Sequence, residues 1–284
     1  MLMSPDRRAI VQIVELALHE DSPWGDITSE TLISPEKRIT AHLRAREDGV
    51  LCGEDLFTHA MTSEAGVEVK FFKHDSQSFF KGEAIATVEG SARKILRAER
   101  VGLNFVQRLS GIATTTARYV AETAGTKARI VDTRKTTPGL RLFERYAVRC
   151  GGGYNHRFSL SDALMAKDNH IATLKSSGPA DLTQQLRKAF ATLPHTMTTE
   201  VEIDRLDQIE PVIAAGVDVI MLDNFSLEDM KAGVLQVAGR ALVEASGGIT
   251  IERIRNIAMT GVDIISVGAL THSIHALDLG LDVE

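Results

Sequence analysis

The stretch VDVIMLDN, residues 217–224, shows the pattern that decides the fold. Its apolar run is shorter than a typical helix, is rich in β-branched residues and ends in polar residues, which indicates a buried strand. Five further segments follow the same pattern: ARIVDTRK (128–135), ALMAKDNH (163–170), TTEVEID (198–204), ALVEASGG (241–248) and VDIISVGA (262–269). Because helical patterns separate these strands, the second half is predicted to be a parallel α/β barrel with its chemistry at the carboxyl ends of the strands.

A doubly wound open sheet would show the same alternation of strands and helices, so the pattern alone leaves two folds open. The GxGxxG turn of dinucleotide-binding sheets follows none of the six segments, which favours the barrel only weakly. Six strands are also fewer than the eight of the common barrel, so the strand pattern does not establish that the sheet closes.

The first part of the chain has a different texture. An amphipathic helix is predicted over about residues 5–20, and short β-like runs between turn residues indicate a small mixed α and β layer over 39–90. A strong helix is predicted over 91–109, and SerGly at 110 and 111 is expected to break it before another helix over 113–124.

This change of texture predicts a domain boundary. We expect an N-terminal domain over 1–112 and a barrel domain over 113–270. The tail, 271–284, is expected to return and pack on the first domain.

Composition and charge exclude several classes of protein. The chain has 284 residues, 44% of them hydrophobic and 25% charged, without low-complexity blocks, as in soluble globular proteins. Its net charge of −6 argues against a broad nucleic-acid-binding surface, and no apolar run is long enough to span a membrane. The two cysteines, Cys52 and Cys150, would form at most one disulfide and are interpreted as buried thiols. We therefore expect a cytoplasmic protein.

The densest group of charged residues lies at the end of the strand segment ARIVDTRK and in the segment just after it. It comprises Arg134, Lys135, Arg141, His156 and Arg157, in IVDTRKTTPGLR and in the YNHR segment behind a glycine triplet. Guanidinium groups bind carboxylates and phosphates through paired hydrogen bonds, so this group predicts an anion site in an acidic protein. A solvated basic loop is the less favoured alternative.

Carboxylates and a lysine follow three other strands. Alternation puts Glu200, Glu202 and Asp204 on one face of TTEVEID, and Asp223 ends the next strand. Such carboxylates favour Mg²⁺ or sugar hydroxyls as ligands, although structural pairing with Lys or Arg is an alternative. Lys167 either binds a phosphate or carboxylate or forms an ordinary ion pair.

Glycine-rich turns follow the last two strands. Ser246, Gly247 and Gly248 follow one strand and Gly268 follows the other, with His272 as an undecided candidate nearby. The loops after the last strands of a barrel commonly bind phosphate through backbone N–H groups. These four residues are therefore predicted to bind a phosphate.

The motifs together resemble the quinolinate phosphoribosyltransferase family. The resemblance covers essentially the whole chain and rests on motifs in a fixed order: DTRKTTPGLR, YAVRCGGGYNHR, AKDNHI, EVEID, IMLDNF, EASGGI and SVGALTHS. It implies an N-terminal α/β sandwich joined to an α/β barrel with fewer than eight strands. It also implies a Mg²⁺-dependent pentosyltransferase of NAD biosynthesis that makes nicotinate mononucleotide, CO₂ and pyrophosphate from quinolinate and phosphoribosyl pyrophosphate.

The resemblance also implies roles for individual residues. Quinolinate would be bound by Arg134, His156 and Arg157, with Lys135 and Lys167 near it and near the pyrophosphate. The residues expected to act in catalysis are Lys135, Lys167, Glu202 and Asp223.

Further roles follow from the same resemblance. Glu202 and Asp223 resemble the carboxylates that bind the ribose hydroxyls and, directly or through water, Mg²⁺. Ser246, Gly247, Gly248 and Gly268 resemble the site of the 5′-phosphate.

Arg108, in NFVQRLSGIAT, resembles an arginine that the family donates from the neighbouring subunit. The resemblance therefore implies a homodimer and leaves a higher oligomer open. Arg145 departs from the family, in which lysine is frequent at that position, but the charge is retained.

Two other functions compete with this one. A related phosphoribosyltransferase with a different acceptor would share part of the motifs, but the complete TRKTTPG and Lys167 argue against it. A non-catalytic barrel that binds a phosphate ligand would not need Glu202 and Asp223 beside the cations.

Overall fold

The computed structural model describes residues 4–174 and 179–284. The chain divides into two compact units. The first comprises the residues up to Ala117 together with Thr136–Gly152 and Ser273–Glu284, and the second comprises Arg118–Lys135 and Gly153–His272. The predicted boundary near residue 112 stays a prediction, and residues 1–3 of the predicted first domain lie outside the described residues.

The elements alternate between helices and strands along most of the chain. As far as the first long helix they are α1 (Arg7–Asp21), α2 (Ile27–Leu32), β1 (Arg38–Ala45), β2 (Gly49–Val50), α3 (Glu54–Thr62), β3 (Val67–Phe71), β4 (Ser78–Phe79), β5 (Ala84–Ser91) and α4 (Ala92–Ala121). The following elements are β6 (Arg129–Val131), α5 (Arg141–Cys150), β7 (Leu164–Ala166), α6 (Asp168–Leu174), α7 (Pro179–Phe190), β8 (Thr199–Ile203) and α8 (Ile209–Ala215). The last are β9 (Val219–Asp223), α9 (Leu227–Val237), β10 (Leu242–Ser246), α10 (Ile251–Ala258), β11 (Ile264–Ser266), α11 (Ala269–His272) and β12 (Leu279–Val283).

The first unit is built on an antiparallel sheet with the strand order β12-β1-β5-β3. The C-terminal strand pairs with β1, so that Leu43 lies opposite Leu281. Side chains from the sheet, from α3 and from α4 form one apolar core, which includes Leu43, Phe57, Val88 and Val106. Burial of these side chains holds the helices on the sheet.

The second unit is a parallel sheet of six strands with the order β6-β11-β10-β9-β8-β7. Its first strand, β6, pairs with its last, β11. The other neighbouring strands are consecutive in the chain, and β6 and β7 are the two strands at the ends of this order. A doubly wound sheet instead places its first strand near the middle. The predicted fold class, an α/β protein whose second part has fewer than eight parallel strands, is confirmed.

Helix α4 is longer than the sequence predicted. The predicted break at Ser110 and Gly111 is wrong, because α4 continues through both residues to Ala121. The Ser110 hydroxyl accepts a hydrogen bond from the Cys52 N–H and donates one to the Cys52 carbonyl. A Cβ at Gly111 would lie 2.2 Å from the carbonyl oxygen of His275. These two residues therefore serve close packing of the helix and do not end it.

Within residues 4–174 and 179–284, no helix combines the length and the apolar character that crossing a bilayer requires.

Candidate active site

A cavity of about 580 Å³ lies at the carboxyl ends of the parallel strands of the second unit. The residues that line it are Thr133, Arg134, Lys135, His156, Arg157, Met165, Lys167, Glu202, Met221, Asp223, Asn224, Glu244, Ser246, Gly247, Gly248 and Ser266. Most residues predicted for the site are in this set, and those outside it are Arg108, Arg141, Glu200, Asp204, Gly268 and the undecided candidate His272. The strand ends bring them together because parallel strands end at the same edge of the sheet.

Lys167 and Glu202 form an ion pair at the ends of the neighbouring strands β7 and β8. The Nζ atom of Lys167 lies 2.7 Å from Oε2 of Glu202, and the pairing of Ala166 with Val201 sets this alignment. The Lys167 side chain is 45% exposed, whereas that of Glu202 is 11% exposed. The ammonium group is therefore held near the carboxylate and remains exposed to solvent in the cavity.

Asp223 ends the next strand, β9. Its Oδ2 accepts a hydrogen bond of 2.7 Å from the side-chain amide of Asn224. Asp204, predicted on the same face as Glu202, is largely exposed and lies 3.8 Å from Arg205. The cavity thus contains Glu202 and Asp223 but not Asp204.

His156 lies between two buried carboxylates. Its Nε2 is 3.1 Å from Oε2 of Glu200 and 3.5 Å from Oε2 of Glu244. The sequence left the role of Glu200 open and missed Glu244. The signal for Glu244 was a carboxylate inside the apolar segment ALVEASGG, since a charge in a buried strand requires a partner.

The two carboxylates favour the protonated form of His156. Burial opposes that charge, but the hydrogen bonds to Glu200 and Glu244 outweigh it and raise the pKa of His156 to about 10. The Nδ1 atom accepts a hydrogen bond of 2.8 Å from the Arg157 N–H. Protonation of Nδ1 therefore breaks this hydrogen bond, so the charge of His156 is coupled to the backbone at Arg157.

Asp132 holds the loop that carries His156. This carboxylate is fully buried at the end of β6, and it accepts hydrogen bonds from the His156 N–H at 2.7 Å and the Asn155 amide at 2.6 Å. Asp132 was not among the residues predicted for the site. Its position directly after an apolar strand, in IVDTRK, was the available signal.

Arg134 and Arg157 bring two guanidinium groups to the same cavity. Burial and the neighbouring charge of Arg134 lower the pKa of Arg157. Its Nη1 atom donates to the Ala163 carbonyl at 3.0 Å, which positions the side chain. A bound anion would relieve the repulsion between the two cations, so the geometry suits a carboxylate or phosphate.

The loop after β10 is shaped by glycines. Gly247 and Gly248 have φ angles of +85° and +58°, in the left-handed region. A Cβ at Gly247 would lie 2.2 Å from Oδ1 of Asn224 and 2.8 Å from its backbone nitrogen. The loop therefore requires glycine at this position, and it leads into helix α10.

Gly268 lies beside Lys135 at the end of β11. A Cβ at Gly268 would lie 3.1 Å from Cδ of Lys135 and 3.0 Å from Nε2 of His272. The Thr271 hydroxyl donates to the Lys135 carbonyl at 2.7 Å. This loop thus positions Lys135, which lines the cavity.

Arg108 and Arg141 belong to the first unit. Arg108 lies on α4 and binds the buried carboxylate of Glu144, which the sequence did not single out. Arg141 begins α5 and donates a hydrogen bond to the Thr136 hydroxyl at 3.0 Å. Of the cations predicted for the anion site at the end of ARIVDTRK, the second unit therefore contains Arg134, Lys135, His156 and Arg157.

Comparison with known families agrees with this geometry. Residues 26–110 match the N-terminal domain of quinolinate phosphoribosyl transferase, and residues 112–282 match its C-terminal domain. The chain belongs to the quinolinate phosphoribosyl transferase family. The resemblance inferred from the motifs is confirmed.

Individual relatives align with this chain over essentially its whole length. It is 40% identical to the Mycobacterium leprae nicotinate-nucleotide pyrophosphorylase (carboxylating), with all of both chains covered. It is similar to the solved nicotinate-nucleotide pyrophosphorylase of Francisella tularensis, with a TM-score of 0.92, 38% identity and coverage of 100% and 99%. The Ehrlichia chaffeensis structure of that name matches with a TM-score of 0.91, 36% identity and full coverage of both chains.

Proposed function

We propose that this chain transfers the phosphoribosyl group of phosphoribosyl pyrophosphate to quinolinate and releases nicotinate mononucleotide, CO₂ and pyrophosphate, a step of NAD biosynthesis. One observation carries the proposal. A single cavity contains two arginines and a histidine, the Lys167–Glu202 ion pair, and the glycine-rich loop after β10. These are separate sites for a dicarboxylate, a reacting ribose and a phosphate.

Arg134, His156 and Arg157 would bind the two carboxylates of quinolinate. Guanidinium groups bind carboxylates in a planar, paired geometry, and the charge that Glu200 and Glu244 favour on His156 adds a third cation. A monocarboxylate acceptor would leave part of this charge without an anion. The arrangement therefore favours quinolinate over nicotinate.

The ribose and its phosphates would lie along the other strand ends. Ser246, Gly247, Gly248 and Gly268 would bind the 5′-phosphate through the loops after β10 and β11. Glu202 and Asp223 would accept hydrogen bonds from the ribose hydroxyls. Lys135 and Lys167 would neutralise charge on the leaving pyrophosphate.

This assignment needs no protein nucleophile. The bond between C1 of the ribose and the pyrophosphate oxygen breaks as the ring nitrogen of quinolinate approaches, so positive charge develops on the ribose, where the Glu202 and Asp223 carboxylates stabilise it. The new pyridinium then accepts the electron pair of the bond to the 2-carboxylate, which leaves as CO₂. A proton replaces it at that carbon.

Mg²⁺ is part of the proposal. It is commonly bound by one or two carboxylates together with substrate phosphates, and Glu202 and Asp223 are oxygen donors on adjacent strands beside the proposed phosphate positions. These residues fit such an ion, which would neutralise charge on the pyrophosphate. Removal of divalent ions with EDTA should abolish turnover, and Mg²⁺ should restore it.

Several further features are proposed on the family resemblance. We propose a homodimer in the cytoplasm, with Arg108 of each subunit completing the partner's quinolinate site. Mixing an Arg108→Ala chain with a Lys167→Met chain tests this exchange. If the site is shared, one of the two sites in each mixed dimer combines Lys167 of one chain with Arg108 of the other and regains activity, whereas sites built within one chain regain none.

The first test is product formation by the purified protein with Mg²⁺ and phosphoribosyl pyrophosphate, with quinolinate and nicotinate compared as acceptors. Nicotinate mononucleotide and one CO₂ per turnover from quinolinate alone are expected. Turnover with another acceptor would move the assignment to a related transferase. Tight binding of phosphoribosyl pyrophosphate without any turnover would favour the non-catalytic barrel.

A further inference from the structure

Three side chains of the first unit form a compact cluster that the proposed reaction does not use. The Sγ atoms of Cys52 and Cys150 and a carboxylate oxygen of Asp75 all lie within 4.8 Å of one another. Both cysteines are buried free thiols, as the sequence predicted. They are also the only cysteines among the 284 residues.

Helix α4 anchors the backbone beside both cysteines. At Cys52, the Ser110 hydroxyl binds the backbone N–H and the carbonyl at 3.0 and 3.2 Å. Directly after Cys150, a Cβ on Gly151 would lie 2.3 Å from the Ala113 carbonyl, so the chain there packs tightly on the same helix. The anchors are one helical turn apart, and they keep the two sulfur atoms close without a covalent bond.

The two thiols have unequal surroundings. Hydrogen bonds from Cys52 and then Ser76 lower the pKa of Cys150 against the opposing effect of its burial. Burial raises the pKa of Cys52, and its hydrogen bond to Cys150 raises it further. Cys150 is therefore the more readily deprotonated thiol of the pair, and Cys52 is the thiol that holds its proton more strongly.

The carboxylate in the cluster is already satisfied by hydrogen bonds. Oδ1 of Asp75 accepts from the N–H groups of Gly53 and Glu54 at 2.9 and 3.2 Å, and Oδ2 accepts from the Tyr146 hydroxyl at 2.9 Å. Burial raises the pKa of Asp75 to about 6, which weakens it further as an anionic ligand. A metal ion would have to displace these contacts, so the geometry favours chemistry between the two sulfur atoms.

We propose that Cys52 and Cys150 form an oxidation site, which closes to an intramolecular disulfide when hydrogen peroxide reacts with it. The Cys150 thiolate attacks one peroxide oxygen and becomes a sulfenic acid, while the other oxygen leaves and is protonated to water. The sulfur of Cys52 then attacks that of Cys150, and its thiol proton and the sulfenic hydroxyl leave as a second water. Two thiols are oxidised by two electrons in total, and one hydrogen peroxide is reduced to two waters.

The test uses the full chain and hydrogen peroxide. Protein is sampled over time, quenched in acid, alkylated under denaturing conditions and measured by intact mass. We expect both thiols to disappear together, with the loss of two hydrogens per chain, no covalent dimer on a non-reducing gel, and full recovery with dithiothreitol. Urea-unfolded protein is the matched control, and it should form the intramolecular bond at least tenfold more slowly because the anchors on α4 are lost.

Two variants identify the order of events. Cys52→Ser should leave a sulfenic acid at Cys150 that dimedone traps, whereas Cys150→Ser should leave Cys52 reduced over the same time. Oxidation of one thiol alone in the unsubstituted protein, a disulfide between chains, or faster closure in the unfolded chain would overturn the proposal. A zinc titration that protects both thiols at one ion per chain would assign the cluster to a metal instead and would also overturn it.

Discussion

The carboxylate of Glu144 binds the guanidinium group of Arg108 through two hydrogen bonds to one oxygen. Oε1 accepts from Nη2 at 2.6 Å and from Nε at 3.1 Å, while Oε2 accepts from the Thr137 N–H at 3.1 Å. Glu144 is fully buried, whereas the Arg108 side chain is 30% exposed. The pair therefore compensates a buried charge and sets the direction of an arginine that we assign to quinolinate binding.

Removal of Arg108 should affect both stability and binding. Arg108→Ala leaves the Glu144 carboxylate buried without this cation, so we expect the free energy of unfolding to fall by about 1–3 kcal/mol. Urea denaturation at neutral pH measures this loss. The KM for quinolinate should rise at least tenfold in the same variant.

Arg108→Lys is the matched control for this prediction. It retains the charge but loses the paired geometry, so most of the stability should return while the KM for quinolinate remains raised. Equal stability of the alanine variant and the unsubstituted protein would contradict the role of Arg108 as the partner of Glu144.

The pH dependence of quinolinate binding should follow His156. Because the pKa of His156 is raised from 6.5 to about 10, its positive charge stabilises the folded protein. This contribution is fully present below pH 6.5 and is lost as the pH rises through 10. Glu244→Gln removes one of the two carboxylates that raise the pKa. The KM for quinolinate should therefore begin to rise at a lower pH in this variant, in a series from pH 6 to 10.

Glu228→Gln, on the exposed surface of α9, is the matched control for this charge change. It should leave the pH profile unchanged. If Glu244→Gln and the unsubstituted protein share one profile, the carboxylate does not control the charge of His156.

Gly247 should be essential for the loop after β10. In Gly247→Ala, the added Cβ meets both the side chain and the backbone of Asn224, so the loop has to shift away from the proposed phosphate site. The KM for phosphoribosyl pyrophosphate should rise by about tenfold or more, which corresponds to about 1.4 kcal/mol. Steady-state kinetics at saturating quinolinate measure this change.

Gly239 provides a control with the same backbone strain. Its φ of +74° is similar to that of Gly247, but a Cβ there would meet nothing within 4 Å. Gly239→Ala should cost about 1 kcal/mol of stability and leave the KM unchanged. Equal kinetic effects in the two variants would show that strain alone, and not contact with Asn224, is responsible.

Lys167 should act on the rate of transfer. Lys167→Met retains much of the side-chain volume but removes the ammonium group beside Glu202, so kcat should fall by about 100- to 1,000-fold. Lys188→Met, on the exposed surface of α7, serves as the control and should retain full activity. A loss of less than tenfold would leave Lys167 with only the structural ion pair that the sequence also allowed.

The sequence by itself determined the six parallel strands and most of the residues at the cavity. Local pattern is sufficient for this, because a short apolar run followed by polar residues specifies both a strand and the edge where its functional side chains lie. Arg134, Lys167, Glu202 and Asp223 were all identified in this way. The meaning of SerGly in α4 was not, because a local rule for helix ends cannot detect the contacts of Ser110 with Cys52.

Only the tertiary structure decided which charged groups share a buried environment. Glu244 is far from His156 in the sequence, and Glu144 is distant from Arg108, so no spacing or periodicity links them. The same is true of Cys52 and Cys150. These pairs exist because the packing of strands and helices removes them from water, where an ionised or reactive side chain is stable only beside a matching partner.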